Sequence, residues 1–195
     1  DGENSAWCIY TPEADFGNAE ISELYYPILF LGRNVAPNSG GYGQFRGGLG
    51  HTAVWMVYNT PGLEYQCGDA GMRSKMVGNH GMYGAYPVVP DRPAYGHKTN
   101  VKQLIEEQRP LIHGRGDPES PAIASLIDAE LVEDNAIAPF VTPEPLQDYD
   151  IIVHPISGAQ AMGDPILRDP ASVTKDLNEG WTTGRVADEI YGVVA

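Results

Sequence analysis

Asn38-Ser39-Gly40-Gly41-Tyr42-Gly43-Gln44-Phe45-Arg46-Gly47-Gly48-Leu49-Gly50 runs directly into His51-Thr52-Ala53-Val54-Trp55-Met56-Val57-Tyr58, and this junction decides how the rest of the chain is read. Six of the first thirteen residues are glycine, which reaches positive φ cheaply and lets other backbone or a ligand approach closely. A phosphate-binding loop would need a buried strand before it and a helix after it, and the P-loop form closes on Gly-Lys-Ser/Thr. Gly43-Gln44-Phe45-Arg46 breaks both patterns. The following run places β-branched and aromatic residues at alternate positions, as a strand does. The loop therefore enters a sheet.

Working outward, Asn18 to Leu31 reads either as a short helix or as an alternating strand running into Pro27. Pro27 biases Tyr26 toward extended geometry, so a strand over Glu23 to Leu31 is expected, joined by the glycine loop to the Val54 to Tyr58 strand as a long hairpin. Before it, Trp7, Ile9 and Tyr10 read as a half-buried strand between loops. After it, Pro61-Gly62 signals a turn and Leu63 to Cys67 alternates as a third, antiparallel strand. The glycine-rich stretch Gly68 to Gly84 carries Met72, Met76 and Met82, which are expected to fill core gaps rather than touch substrate.

Thr99 to Arg109 has Asn100 as an N-cap, Val101, Leu104 and Ile105 on one face, and Pro110 as a stop, which predicts a helix. The short apolar run within Asp117 to Asp134 fits a helix or a strand. Pro139, Pro143 and Pro145 form a stiff connector, a weak boundary near 139–149, before a strand over Asp150 to His154. Asp169-Pro170 opens a helix as prolines at helix starts permit, and Thr183 to Tyr191 fits a last short one. The fold class expected is α+β: a β-rich mixed or antiparallel sheet with a few short helices.

The 195 residues can bury about 70% of the unfolded surface. Apolar residues are 42% and charged residues 19%, a globular composition. No apolar run approaches the roughly 20 residues needed to span a bilayer, and no leader pattern is present. Twelve Lys and Arg face 26 Asp and Glu, a net charge of −14 that repels phosphate backbones and anionic lipid. Neither nucleic acid nor membrane is an expected partner. Cys8 and Cys67 have the number and spacing of neither a disulfide scaffold nor a zinc site, and reduced thiols in the cytoplasm are expected.

Five histidines, His51, His80, His97, His113 and His154, form no metal-ligating spacing. His51 and Asp69 remain candidates because each adjoins a glycine-rich loop where a ligand can approach. Arg46 offers a five-donor fork for a carboxylate or phosphate. The competing reading makes it a salt-bridged anchor, with Asp164 or Asp169 as its acid. Gly163-Asp164-Pro165 reads as a tight turn in which Asp164 caps backbone N–H groups. No nucleophile elbow or other local catalytic signature occurs, so the catalytic residues and metal ligands stay unassigned.

Two ordered blocks carry a family likeness. Tyr26-Pro27-Ile28 with Ser39, Gly40, Gly41, Gly43, Gly47, Gly48 and Gly50 forms the first, and Gly163-Asp164-Pro165-Ile166-Leu167-Arg168-Asp169-Pro170 with Val173, Asp176, Gly180 and Tyr191-Gly192-Val193 forms the second. Together they resemble the signature of the hydantoinase B/oxoprolinase family. The opening Asp1-Gly2-Glu3-Asn4-Ser5-Ala6-Trp7 and the proline-rich middle look most like the large subunits of acetone and acetophenone carboxylases within it. The resemblance makes residues 1–195 the C-terminal portion of such a subunit. An opening Asp1-Gly2 without an initiator Met fits a processed, split or partial subunit.

What the resemblance implies is an ATP-dependent, biotin-independent ketone carboxylase that joins bicarbonate to acetone or acetophenone to give a β-keto acid. ATP with Mg would sit on a hydantoinase A-like partner subunit. A divalent metal such as Mn or Zn would lie elsewhere in the complex. The other expected partners are the remaining part of the hydantoinase B-like subunit and a small third subunit. The rival readings are an ATP-dependent hydantoinase or 5-oxoprolinase type of cyclic amide hydrolase, and a non-catalytic assembly domain.

Overall fold

The computed structural model describes residues 1–4, 18–67, 80–88, 94–109, 111, 130–133, 140–141, 144–156 and 158–194. Its centre is a five-stranded, wholly antiparallel sheet in the order β1-β2-β7-β4-β5. The strands are β1 (Ile28–Val35), β2 (His51–Val57), β4 (Ala94–His97), β5 (Glu130–Glu133) and β7 (Ile151–Ile156). A separate two-stranded ribbon pairs β3 (Gln66–Cys67) with β6 (Phe140–Val141). The chain is thus an antiparallel sheet with a few short helices, the class expected.

The glycine loop does join a hairpin: Val35 lies opposite His51 and Ile28 opposite Val57, with a bulge between Phe30 and Gly32. The segment before β1 departs from expectation. Helix α1 (Ala19–Tyr25) takes Glu23, Leu24 and Tyr25, the start of the expected Glu23 to Leu31 strand. Asn18 explains it, because its Oδ1 accepts from the Glu20 and Ile21 backbone N–H groups at 2.9 and 3.4 Å, satisfying donors a helix start leaves free. Pro27 acts one residue later: Tyr26 is extended (φ −125°, ψ 148°) and the strand begins at Ile28.

The expected third strand is also displaced. Leu63 bridges Leu146 and only Gln66–Cys67 pairs further, both outside the main sheet. The neighbour β2 takes instead is β7, about a hundred residues away, in the register Met56 to Ile151 and Trp55 to Ile152. Both faces of this sheet centre are covered. Met56, Ile151 and Val153 pack with Val101 and Leu104 of α2 (Val101–Glu106) on one side. Val57, Tyr95, Leu146 and Ile152 pack together on the other.

Helix α2 is shorter than expected and Asn100 makes no side-chain cap bond. Thr99 Oγ1 instead lies 3.4 Å from the Val101 N–H while donating to the Tyr149 carbonyl at 2.6 Å. A smaller core of Val173, Val186, Ala187 and Tyr191 joins α3 (Pro170–Asn178) to α4 (Gly184–Glu189). Asp169 caps α3 and Thr183 caps α4 through their side chains. Met82, expected in a core, is 47% exposed. Residues 5–17, Asp69, Met72, Met76, His113 and the apolar run at 122–127 lie outside the described residues. No helix among the described residues is long and apolar enough to cross a membrane.

Candidate functional site

The loop between β1 and β2 folds across the backbone of residues 158–163 rather than around empty space. Gly41 N–H donates to the Ala159 carbonyl (3.0 Å), Ala159 N–H to Gly48 (2.7 Å), Gly158 N–H to Ser39 (3.2 Å) and Gln44 N–H to Gly163 (3.1 Å). On its other side Gly2 N–H donates to the Arg46 carbonyl at 2.9 Å. Ser39 Oγ ties the base of the loop, donating to the Ala36 carbonyl (2.6 Å) and accepting from Gly50 N–H (2.8 Å).

None of the loop's glycines has positive φ; that conformation falls to Asn38 (φ 59°). Its Oδ1 accepts from Thr182 Oγ1 and from Thr183 N–H at 3.0 and 3.2 Å. The glycines are required by proximity instead. A Cβ on Gly47 would lie 1.8 Å from the Ala159 carbonyl oxygen, and one on Gly48 would lie 1.8 Å from that of Glu3. The surfaces of Gly47 and Gly48 are therefore filled by the chain's own backbone.

At the loop's centre Arg46 is 6% exposed, and its acid is neither Asp164 nor Asp169 but Asp176 of α3. Nε and Nη2 donate to Asp176 Oδ2 and Oδ1 at 3.0 and 3.3 Å, while Nη1 donates to Asn4 Oδ1 (3.1 Å) and the Gly47 carbonyl (2.9 Å). The guanidinium carbon also lies 4.9 Å from the Trp181 ring centre. Asp176 is shared: Arg168 Nη2 donates to the same Oδ2 at 2.8 Å. Arg168 in turn grips Asp1 through both nitrogens, at 2.6 and 2.8 Å.

Two guanidiniums and two carboxylates thus alternate through a largely buried cluster whose formal charges cancel. Such an arrangement offsets the desolvation of each ion because each charge meets an opposite one, while Arg168 Nε is buried without a hydrogen-bond partner among the described residues. It pins the first residues, the glycine loop and α3 together. Arg168 and Asp176 belong to the quoted C-terminal block, yet spacing alone gave them no role; a helix that buries an aspartate was the signal to weigh. Beside the cluster is a cavity of about 470 Å³ bordered by Asn4, Arg46, Ser172, Lys175 and Trp181.

Gly163 takes φ 80°, and Asp164 Oδ1 accepts from Ile166 N–H at 3.0 Å, capping a 3₁₀ turn at Pro165–Leu167. His51 is buried at the start of β2, opposite Val35 and Ile156. One histidine that spacing did not single out is ordered: His97 Nδ1 lies 2.7 Å from Asp150 Oδ2, which also accepts from Gln147 N–H at 2.7 Å. Burial pushes the Tyr191 hydroxyl up to about 12, Arg168 opposing that shift and Asp176 adding to it. Among the described residues no three His, Cys, Asp or Glu side chains could hold a metal ion.

Comparison with known proteins places these features in a family context. The hydantoinase B/oxoprolinase family model matches residues 1–130. The acetone carboxylase alpha subunit of Xanthobacter autotrophicus is 36% identical over the whole chain, which covers 25% of it. The acetophenone carboxylase delta subunit of Aromatoleum aromaticum is 29% identical over 96% of the chain, covering 26% of that protein. Among solved structures, nucleotide-free acetone carboxylase superposes on the whole chain with a TM-score of 0.80 at 34% identity, over 25% of its own length. The ATP-dependent caprolactamase from Pseudomonas jessenii shares the fold, with a TM-score of 0.59 at 21% identity over 92% of this chain and 25% of its own. The chain spans about a quarter of the length of the curated relatives it matches.

Proposed function

The chain belongs to the hydantoinase B/oxoprolinase family, and from that premise we propose that it is the C-terminal portion of a subunit of an ATP-dependent ketone carboxylase. The reaction is carboxylation of acetone or acetophenone by bicarbonate, without biotin, to a β-keto acid. The observation that carries this reading is the end-to-end match to the acetone carboxylase alpha subunit at one third identity or better in both sequence and structure.

The chain's own contribution follows from its geometry. A ketone methyl is weakly acidic and bicarbonate is a poor electrophile, so activated species must be kept from water. A loop closed by backbone contacts at van der Waals limits, and locked by a neutral ion cluster, suits the wall of such a chamber. ATP supplies the driving force on a hydantoinase A-like partner subunit, in keeping with a glycine loop that enters a strand and lacks the P-loop pattern. A divalent metal, Mn or Zn, belongs to the remaining hydantoinase B-like polypeptide, and a small third subunit completes a cytoplasmic complex. Arg46 and His51, in and directly after the glycine loop, and Asp69, beside the second glycine-rich stretch of the sequence, are this chain's candidates for meeting substrate.

Incubating the native complex with ATP, labelled bicarbonate and each ketone tests the reading. Fixation of label into a β-keto acid, counted as label that survives brief cold acidification while unreacted bicarbonate leaves as CO2, is expected. Opening of a cyclic amide without fixation overturns it in favour of amide hydrolysis, and neither reaction in an intact complex leaves an assembly role.

A further inference from the structure

We propose that the face formed by Phe45, Met162, Met82 and Tyr83 is the surface through which this segment docks onto the rest of a hydantoinase B-like polypeptide. The inference rests on the proposed function for the identity of the partner and not for the existence of the face. Phe45 and Met162 exchange two backbone hydrogen bonds, at 2.9 and 3.0 Å, and Met82 brackets Met162 from the other side by accepting from Gly163 N–H (2.9 Å) and donating to the Ala161 carbonyl (3.0 Å). Bridged residues project their side chains to one face. The three therefore form a row, Phe45-Met162-Met82.

That row is uncovered: Phe45 is 47% exposed, Met162 40% and Met82 47%. Four and five residues after Met162 in the chain, Ile166 and Leu167 are 61% and 63% exposed. An exposed apolar row on an otherwise acidic protein marks an interaction site more often than chance exposure. A second, independent observation is the turn at its edge. Ala85 N–H closes on the Met82 carbonyl, with Tyr83 at φ 52° and Gly84 at φ 91°. Turns with two left-handed central residues favour Asn or Gly at the first, and a bulky aromatic there is an outlier. The turn nevertheless presents Tyr83 with 85% of its surface in solvent. Rigid aromatics and methionines are the side chains that anchor interfaces.

Two facts select the occupant. The curated relatives continue for about three quarters of their length beyond what this chain spans, so their equivalent of this fold lives beside a large body of the same polypeptide. A second copy of this chain would bring another −14 charge against the first, which opposes self-association.

The test places a photo-crosslinking p-benzoylphenylalanine at position 83, and in a second strain at position 45, of the chain expressed in its native host, followed by mass spectrometry of the linked peptides. Links from both positions to hydantoinase B-like sequence outside residues 1–195 are expected. Links to the ATP-binding subunit, links to a second copy of this chain, or none from either position overturn the proposal. Tyr83→Asn adds a readout that a purely structural role would not give. Asn suits the left-handed turn, so the melting temperature should hold or rise while the yield of the crosslink from position 45 to the remaining polypeptide falls about tenfold, the loss of one anchoring side chain. An unchanged crosslink yield overturns the proposal. Correct crosslinks in a complex that fixes no bicarbonate would leave the docking face standing and remove the carboxylase reading.

Discussion

Arg46→Lys is the substitution that most directly asks what the glycine loop is for. Arg46 makes four hydrogen bonds from three nitrogens: two to the opposed oxygens of Asp176, one to Asn4 and one to the Gly47 carbonyl. An ammonium has no planar fork and cannot span both Asp176 oxygens while still reaching Asn4. At least one charge-assisted bond is lost, and such bonds contribute about 1.5–3 kcal/mol each. Asp176 keeps Arg168 at 2.8 Å, so the carboxylate is not stranded and the cost stays below the about 3–5 kcal/mol of breaking a buried pair outright. The expected loss is therefore about 2–3 kcal/mol. For a chain of this size that lowers the melting temperature by roughly 4–12 °C, measured by circular dichroism on the complex that is also assayed for bicarbonate fixation. A shift under about 1 °C with fixation reduced tenfold or more would refute the anchoring argument and put Arg46 against substrate.

Three further outcomes follow from the same geometry. Asp176→Asn removes the charge shared by two buried guanidiniums and should cost about 3 kcal/mol or more, whereas Asp164→Ala and Asp169→Ala remove only caps, about 1 kcal/mol each; chemical denaturation of the three variants should give that order. Gly47→Ala drives a methyl into the Ala159 carbonyl and should destabilise by more than about 2 kcal/mol. Gly184→Ala, whose Cβ would meet nothing within 4 Å, should stabilise by about 0.5 kcal/mol, and equal effects of the two in thermal unfolding would undo the steric argument. Tyr191, raised to about 12 from 10.0 chiefly by burial, contributes stability that is fully present below pH 10 and is lost as the pH rises toward 12, about 2–3 kcal/mol in all. Its hydroxyl has no hydrogen-bond partner among the described residues, so Tyr191→Phe should leave neutral-pH stability nearly unchanged and abolish that alkaline step, followed by unfolding across the pH range.

The glycine loop and β2 were legible because alternation and glycine density act within a few residues. The cap at Asn18 is equally local, and Pro27 fixes extended geometry only at Tyr26, one residue past α1, so it does not oppose the helix before it. Asp164 and Asp169 attract attention as acids near Arg46 in pattern, but their side chains are spent on caps at Ile166 and Ala171. The true partner, Asp176, is 130 residues from Arg46.

The sequence alone determined the family signature, the hairpin around the glycine loop, and the starts of α3 and α4, since each depends on propensities and caps carried by neighbouring residues. Only the tertiary structure decided that β7 lies beside β2, that Asp176 lies between Arg46 and Arg168, and that the loop's glycines serve contact rather than positive φ. Those choices were made by segments far apart in the chain, where burial of the sheet's two faces and the need to pair every buried charge leave one arrangement that local pattern cannot encode.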